Sequence, residues 1–193
     1  MAGPRTLPLT MVIRRGGRAA NQGSPTGGIW IVQRGALVAE RISDDGARWA
    51  FLLGPGDAVG EPPGADSPVD VTALRPCRLR AIATDHGSRA LATRARNLAC
   101  AAALLATAPV EARVRWVLVD AAARFGRPVP EGRTVGLRMS QELIAALAGT
   151  TRESTNRTVR SLEHRGIVRS AGRGRYVLRA AAEARGVASR AGG

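Results

Sequence analysis

The chain of 193 residues carries 29 Lys+Arg against 15 Asp+Glu, a formal net charge of +14 and a pI near 11.7. That balance excludes an acidic or disordered polyanion, and the length excludes a large multidomain enzyme in favour of one domain or two small ones. With 45% hydrophobic and 23% charged residues the chain is apolar enough to bury a core, while 3% aromatics leave too few rings for base-stacking platforms or membrane-interface belts.

Apart from two His, every basic residue is Arg. A basic surface gains free energy by releasing counterions condensed on phosphates, so nucleic acid is the first partner expected. A membrane is not. The longest mostly apolar stretch, residues 98–108, is Ala-dominated and falls short of the roughly 20 residues that span a bilayer. Nor does an amphipathic helix offer bulky apolar anchors. Arg5, Arg14 and Arg15 precede no continuous apolar run with a small-residue cleavage site, which argues against a signal peptide and for the cytoplasm. Cys77 and Cys100 stand far apart and outside any CxxC pair. No metal site or cofactor is expected, and both cysteines read as buried free thiols.

Between residues 29 and 82, short apolar runs alternate with Gly, Pro and Asp, the texture of successive strands and turns. The candidate strands are 29–32, 36–38, 50–53, 69–74 and 77–82, with turns at Gln33-Arg34-Gly35, at 43–46 and at Gly54-Pro55-Gly56-Asp57. Asp45-Gly46 between two such runs is a hairpin signal. Spacing of about ten residues argues for a small antiparallel barrel or sandwich.

Residues 88–108 then turn Ala-, Leu- and Arg-rich without Gly or Pro, which favours helix. Leu91, Leu98 and Leu105 recur every seven residues, and Ala95 and Ala102 fall four residues after the first two. The stripe reads either as a dimer seam or as a helix packed on its own barrel. Pro109 marks a boundary.

Residues 110–125 carry Val114, Val117, Leu118 and Ala121 at helical spacing, stopped by Gly126 and Pro128. After a polar Pro-Gly loop, 134–139 reads as a short strand. Ser140 caps a helix over 141–148 with Leu143, Ile144 and Leu147 on its apolar face, and Gly149 stops it. Thr150 or Thr151 caps the next helix, which runs to about Arg165 with Val159 and Leu162 inward. Gly166 ends that helix. Residues 167–168 and 176–178, around Ser170-Ala171-Gly172-Arg173-Gly174, read as a two-stranded wing, and the tail after Arg179 as a frayed end.

Two short helices joined by Gly149-Thr150-Thr151 and followed by a basic hairpin form a winged helix-turn-helix pattern. Such a unit reads DNA when the second helix enters the major groove, with its N-terminal side chains at base edges and flanking cations on phosphates. Thr151, Arg152, Glu153, Ser154, Asn156, Arg157 and Arg160 supply that chemistry on the helix, and Arg173 and Arg175 supply it on the wing. Arg can donate a bidentate pair to guanine, and Glu can accept from cytosine. Bland alternatives stand beside these roles. Glu153 could close a capping box with Thr150, and Arg152 and Arg157 could be solvated surface charges. His86 and His164 have no Ser or Cys partner that would suggest a triad, and no enzyme is expected.

The run Met139-Ser140-Gln141-Glu142-Leu143-Ile144-Ala145-Ala146-Leu147-Ala148-Gly149-Thr150-Thr151-Arg152-Glu153-Ser154-Thr155-Asn156-Arg157, with Leu162-Glu163 and Gly166-Ile167-Val168 after it, resembles the DNA-binding domain of Crp/Fnr transcription regulators. In that family R-E-x-x-x-R opens the recognition helix and reads the half-site, and the matching positions are Arg152, Glu153 and Arg157. Gly35, the Gly54-Pro55-Gly56-Asp57 turn and Gly60-Glu61 resemble the cyclic-nucleotide-binding-type barrel of the same regulators. The resemblance implies an α+β chain. An N-terminal antiparallel, jelly-roll-like β-barrel over 1–83 leads into a connecting and dimerisation helix over 84–109. A winged helix-turn-helix over 110–180 and a tail over 181–193 follow.

The departures carry information too. Cyclic-nucleotide-binding members follow Gly-Glu with an Arg-Ser pair that holds the phosphate. Here Ser67-Pro68 stands at that place, and no Arg lies between Arg48 and Arg75. A buried phosphate would go unpaired, so the effector pocket reads as degenerate and Glu61 as a loop carboxylate or, at most, an effector ligand. No cysteine precedes Cys77, so an iron-sulfur cluster has no ligands there, and haem is equally unsupported. The segment joining the barrel to the winged domain is shorter than is usual in the family.

Residues 111–193 hold 16 Arg and 7 Asp+Glu for a net +9, against +5 for residues 1–110, so charge concentrates in the half expected to touch DNA. The expectation is a cytoplasmic homodimer that binds double-stranded DNA at a palindromic site. Two rivals remain: a sensing or protein-interaction module whose winged domain docks a protein such as RNA polymerase, and a sequence-indifferent DNA-coating protein.

Overall fold

The structure, a computed structural model, describes residues 10–44, 46, 48–82 and 84–179, apart from the side chains of 84–87. Asp45, the Arg5 region, the His86 side chain and the tail 181–193 lie outside the described residues. The chain divides into two compact units, residues 1–102 and 103–193.

Among the described residues the first unit contains eight strands: β1 (Thr10–Ile13), β2 (Arg18–Ala20), β3 (Trp30–Arg34), β4 (Leu37–Ile42), β5 (Arg48–Leu53), β6 (Ala58–Val59), β7 (Asp70–Ala73) and β8 (Cys77–Ala81). They form two four-stranded sheets ordered β1-β8-β3-β6 and β2-β7-β4-β5, and every pairing between these strands is antiparallel. Trp30, Val32, Leu37, Leu53, Val71 and Leu79 fill the core between the sheets. Register explains how. In the β4–β5 hairpin Leu37 faces Leu53 and Ala39 faces Phe51, so the period of two sends these residues to one face. The three strands absent from the sequence reading, β1, β2 and β6, are short, with four, three and two residues.

Cys77 is buried, and burial pushes its thiol above the ordinary range. Cys100 corrects the sequence expectation: it is exposed, because it sits on the open side of α1 (Thr84–Thr107). On that helix Leu91, Leu98 and Leu105 are half-buried, and Ala95 and Ala102 are exposed.

The second unit takes in the end of α1 and then α2 (Val110–Phe125), which buries Val114, Val117, Leu118, Ala121 and Ala122. Next come β9 (Pro128–Val129), β10 (Gly132–Thr134), α3 (Gln141–Ala148), α4 (Arg152–His164), β11 (Val168–Ser170) and β12 (Tyr176–Arg179). The wing is larger than the expected pair of strands, because β10 and β9 extend it to a sheet ordered β11-β12-β10-β9. The strand expected over 134–139 is not there beyond Thr134. Val135, Leu137 and Met139 are buried in strand-like alternation, but Gly136 at φ 81° breaks the extended path between them. Two backbone bonds pin this segment instead: Val135 N–H donates to Tyr176 O, and Met139 N–H to Gly174 O, both at 2.8 Å.

Candidate nucleic-acid interface

The site starts with two N-caps. Ser140 Oγ accepts from the Leu143 amide at 3.1 Å and Thr151 Oγ1 accepts from the Ser154 amide at 3.1 Å, each satisfying a donor that the first helical turn leaves open. Between the helices Gly149 adopts φ 56°, ψ 50°, the left-handed C-cap that costs glycine nothing. Arg113 reaches across from α2 and donates Nη1 to Ala148 O at 3.0 Å and to Gly149 O at 2.8 Å. It thereby caps the carbonyl end of α3 and fixes the turn. The sequence reading missed Arg113, since nothing local marks a contact 35 or 36 residues away.

On α4, Thr155, Val159 and Leu162 are buried, at positions i, i+4 and i+7. The helix therefore turns Arg152, Glu153, Asn156, Arg157 and Arg160 outward together, all exposed, with Thr151 exposed and Ser154 half-buried at its start. Seven candidate residues thus lie on α4 and its N-cap, five of them on a single outer face. Glu153 does not form a capping box with Thr150. The N-cap is Thr151, so Glu153 sits one position too early, and its carboxylate lies 3.5 Å from Arg157 Nη2. Arg152 Nε lies 2.8 Å from Oε1 of Glu142, a residue of the first turn of α3.

In the wing, Arg173 takes φ 51° between Gly172 and Gly174, both also at positive φ. A left-handed Arg costs roughly 1–2 kcal/mol, and the turn is held by the bond from Ala171 N–H to Arg175 O at 2.8 Å. A Cβ at Gly174 would meet Met139 O at 2.8 Å, so only glycine lets the wing close against the start of α3. Arg173 and Arg175 are exposed. Glu131, on the β9–β10 turn, is held below the ordinary carboxylate range, first by a hydrogen bond from its own amide and then by Arg169. Tyr176 is buried and accepts a hydrogen bond from Gln141 Nε2 at 3.0 Å, and burial, with Glu163 nearby, raises its phenol.

In the first unit, Glu61 is not a free loop carboxylate. Arg94 of α1 donates Nη2 to both Glu61 oxygens at 2.9 Å and Nη1 to Gly60 O at 2.8 Å. The absence of Arg between 48 and 75 therefore did not leave this carboxylate without a cation, because α1 supplies one. Gly60 stands at φ 91°, where a Cβ would lie 2.2 Å from Gly28 O, and the Glu61 amide donates to Thr26 Oγ1 at 2.8 Å. The loop is thus held from both sides. Among the described residues no cluster of three or more His, Cys, Asp or Glu could hold a metal, and no helix is long and apolar enough to cross a membrane.

A jelly-roll-like double sheet followed by helices and a winged helix-turn-helix with a polar, arginine-bearing second helix defines a helix-turn-helix transcription regulator. The comparisons agree on both halves. Residues 11–94 match the cyclic nucleotide-binding domain, and residues 112–183 match the Crp-like helix-turn-helix domain. The chain is 29% identical over 158 residues to the regulatory protein CysR of Synechococcus elongatus, covering 77% of this chain and 73% of that one. It is 28% identical over 177 residues to the CRP-like cAMP-activated global transcriptional regulator of Mycobacterium tuberculosis, covering 82% and 79%. A solved CRP-family regulator from Thermus thermophilus shares the fold at TM-score 0.77 and 22% identity, over 92% of this chain and 96% of that one. The chain belongs to the Crp/Fnr family of transcription regulators, with a DNA-binding helix-turn-helix.

Proposed function

We propose that the protein is a cytoplasmic, homodimeric regulator that reads a near-palindromic DNA site. Thr151, Arg152, Glu153, Ser154, Asn156, Arg157 and Arg160 of α4 face the major groove, and Arg173 and Arg175 hold flanking phosphates. The observation that carries this reading is the division of α4: Thr155, Val159 and Leu162 are buried while Arg152, Asn156, Arg157 and Arg160 are exposed together. A helix that only stabilised the fold would not need its longest donors aligned from the first turn. The acceptors and donors on that face match base edges, and the wing arginines match phosphate. The dimer is supported by the Leu91, Leu98, Leu105 stripe, half-buried within one chain and flanked by exposed Ala95 and Ala102. Small exposed residues let a second helix approach closely, and a two-fold axis there would set two winged domains about one helical turn of DNA apart. RNA polymerase is the protein partner this reading adds. Anisotropy titration of the full chain against duplexes enriched from a randomised pool tests it. Selectivity for the enriched sequence is expected, and equal affinity for an unrelated duplex would favour a DNA-coating protein instead.

The barrel itself supports a reading without cyclic nucleotide. Both oxygens of Glu61 already accept from Arg94, Pro62-Pro63 removes two backbone donors from the following loop, and Ser67 Oγ is buried and donates to Val69 O at 2.7 Å. A ribose hydroxyl would have to displace an internal ion pair, and the phosphate would find no cation in that loop. Calorimetry with cyclic AMP and cyclic GMP should show no binding heat. Micromolar binding that tightened DNA affinity would contradict it.

A further inference from the structure

The two arginines of the recognition motif are paired differently. Arg157 touches Glu153 on its own helix through a terminal nitrogen, at 3.5 Å, with the two side chains 76% and 88% exposed. That contact is long and holds little. Arg152, itself 74% exposed, is paired across the turn, through Nε, at 2.8 Å, to Glu142 of α3, which is 49% exposed, so the difference lies in the shorter distance, the partner helix and the atom used. The chemistry of that choice of atom matters. A guanidinium has one N–H on Nε and four on its two terminal nitrogens, and the end-on fork that matches guanine O6 and N7 uses the terminal pair. A carboxylate on Nε therefore leaves the fork open while restraining the long side chain behind it. Ordering a side chain before contact lowers the entropy lost on binding.

Glu142 also carries a cost. It lies in the first turn of α3, beside the Arg152 group that meets DNA, and a carboxylate there repels phosphates of any sequence. A residue that merely stabilised the fold has no reason to affect selectivity and general affinity in opposite directions. We propose that Glu142 is the positioning residue for Arg152: it aims the guanidinium fork at one base pair of the half-site, raising discrimination there while lowering affinity for DNA in general. This deepens, and rests on, the reading of α4 as the recognition helix.

The test uses the full chain as wild type, E142A, E142Q, R152A and the double variant. The probes are a 24-base-pair duplex enriched from a randomised pool, its single-base-pair substitutions, and an unrelated duplex. Glu142 is half-exposed, so its variants should stay folded, with only a small fall in the thermal midpoint from the lost charge in the first turn of α3. In E142A the match-to-mismatch ratio should fall about fivefold to tenfold at the one base pair that R152A also relaxes, while affinity for the unrelated duplex should rise about twofold. E142Q, which keeps an acceptor oxygen for Nε, should retain more of the ratio than E142A. In the R152A background the Ala at 142 should leave every ratio unchanged. If R152A relaxed a base pair and E142A did not, the positioning role would be wrong while the recognition helix stood. Loss spread over all base pairs, or persisting in the R152A background, would also overturn it. An R152A variant with unaltered base preference would overturn both the positioning role and the reading of α4.

Discussion

Removing either member of the Glu61–Arg94 pair is the sharpest perturbation of the first unit. In Glu61→Ala the guanidinium keeps Gly60 O but loses both carboxylate oxygens, and in Arg94→Ala the carboxylate loses both bonds to its guanidinium. Deleting one member of a fully buried pair costs about 3–5 kcal/mol, and an exposed pair is worth about 0–1 kcal/mol. The side chains here are 22% and 16% exposed and one nitrogen, Nη2, serves both carboxylate oxygens, so the pair is partly wet and about 2 kcal/mol is expected for each single variant. The double variant should cost clearly less than the sum, with a coupling of at least about 1 kcal/mol. Native-state hydrogen exchange reads this locally: amides in residues 88–102 of α1 should exchange roughly thirtyfold faster in either single variant, the equivalent of about 2 kcal/mol. Swapping the charges, Glu61→Arg with Arg94→Glu, should recover part of the protection. Coupling within about 0.3 kcal/mol of zero, with unchanged exchange in α1, would refute the claim that this pair ties the β6–β7 loop to the helix.

Three other outcomes follow from the same structure. Leu98→Asp places a charge in the half-buried stripe and should yield monomers with poor affinity for the enriched duplex. Sedimentation showing an unchanged dimer would put the stripe against the barrel instead. Arg157→Ala should cost about 1–3 kcal/mol and relax one base pair per half-site, whereas Arg173→Ala should weaken all sequences alike and lower the salt slope. Uniform loss in both would remove the distinction between reading helix and wing. Tyr176 is the chain's one tyrosine, so absorbance near 295 nm follows it alone. Its folded pKa is raised above the ordinary value near 10, so its contribution to stability is complete below that value and is lost as pH climbs through the folded midpoint. The native titration should lie above that of the urea-unfolded chain, and coincident curves would contradict the burial argument.

Much of the fold was legible where local chemistry decides it. Ser140, Gly149 and the apolar spacing delimit α3 over the expected 141–148, because caps and periodicity act within one or two turns. The alternating Val135, Leu137 and Met139 misled as a strand for an equally local reason: their burial has the right period, but Gly136 at φ 81° breaks the path. The choice of Thr151 over Thr150 as cap could not be settled from composition, since both hydroxyls have the same chemistry. Longer-range features were hidden altogether. Arg94 on Glu61 and Arg113 on Gly149 join residues 33 and 36 apart, and an arginine on a helix surface gives no sign of which carbonyl or carboxylate the fold will bring to it. The exposed, arginine-bearing face of α4 was visible because its residues lie close together in the chain. Its cross-helix partner Glu142 was not, because that pairing depends on the angle at which α3 and α4 meet.

The central claim is that α4 reads sequence rather than merely supplying charge. The most direct measurement is the affinity of the full chain for its enriched duplex and for an unrelated duplex of equal length, by anisotropy at two salt concentrations. A ratio of about a thousandfold or more is expected, with affinity for both duplexes falling as salt rises. A ratio near one at both salt concentrations would contradict it.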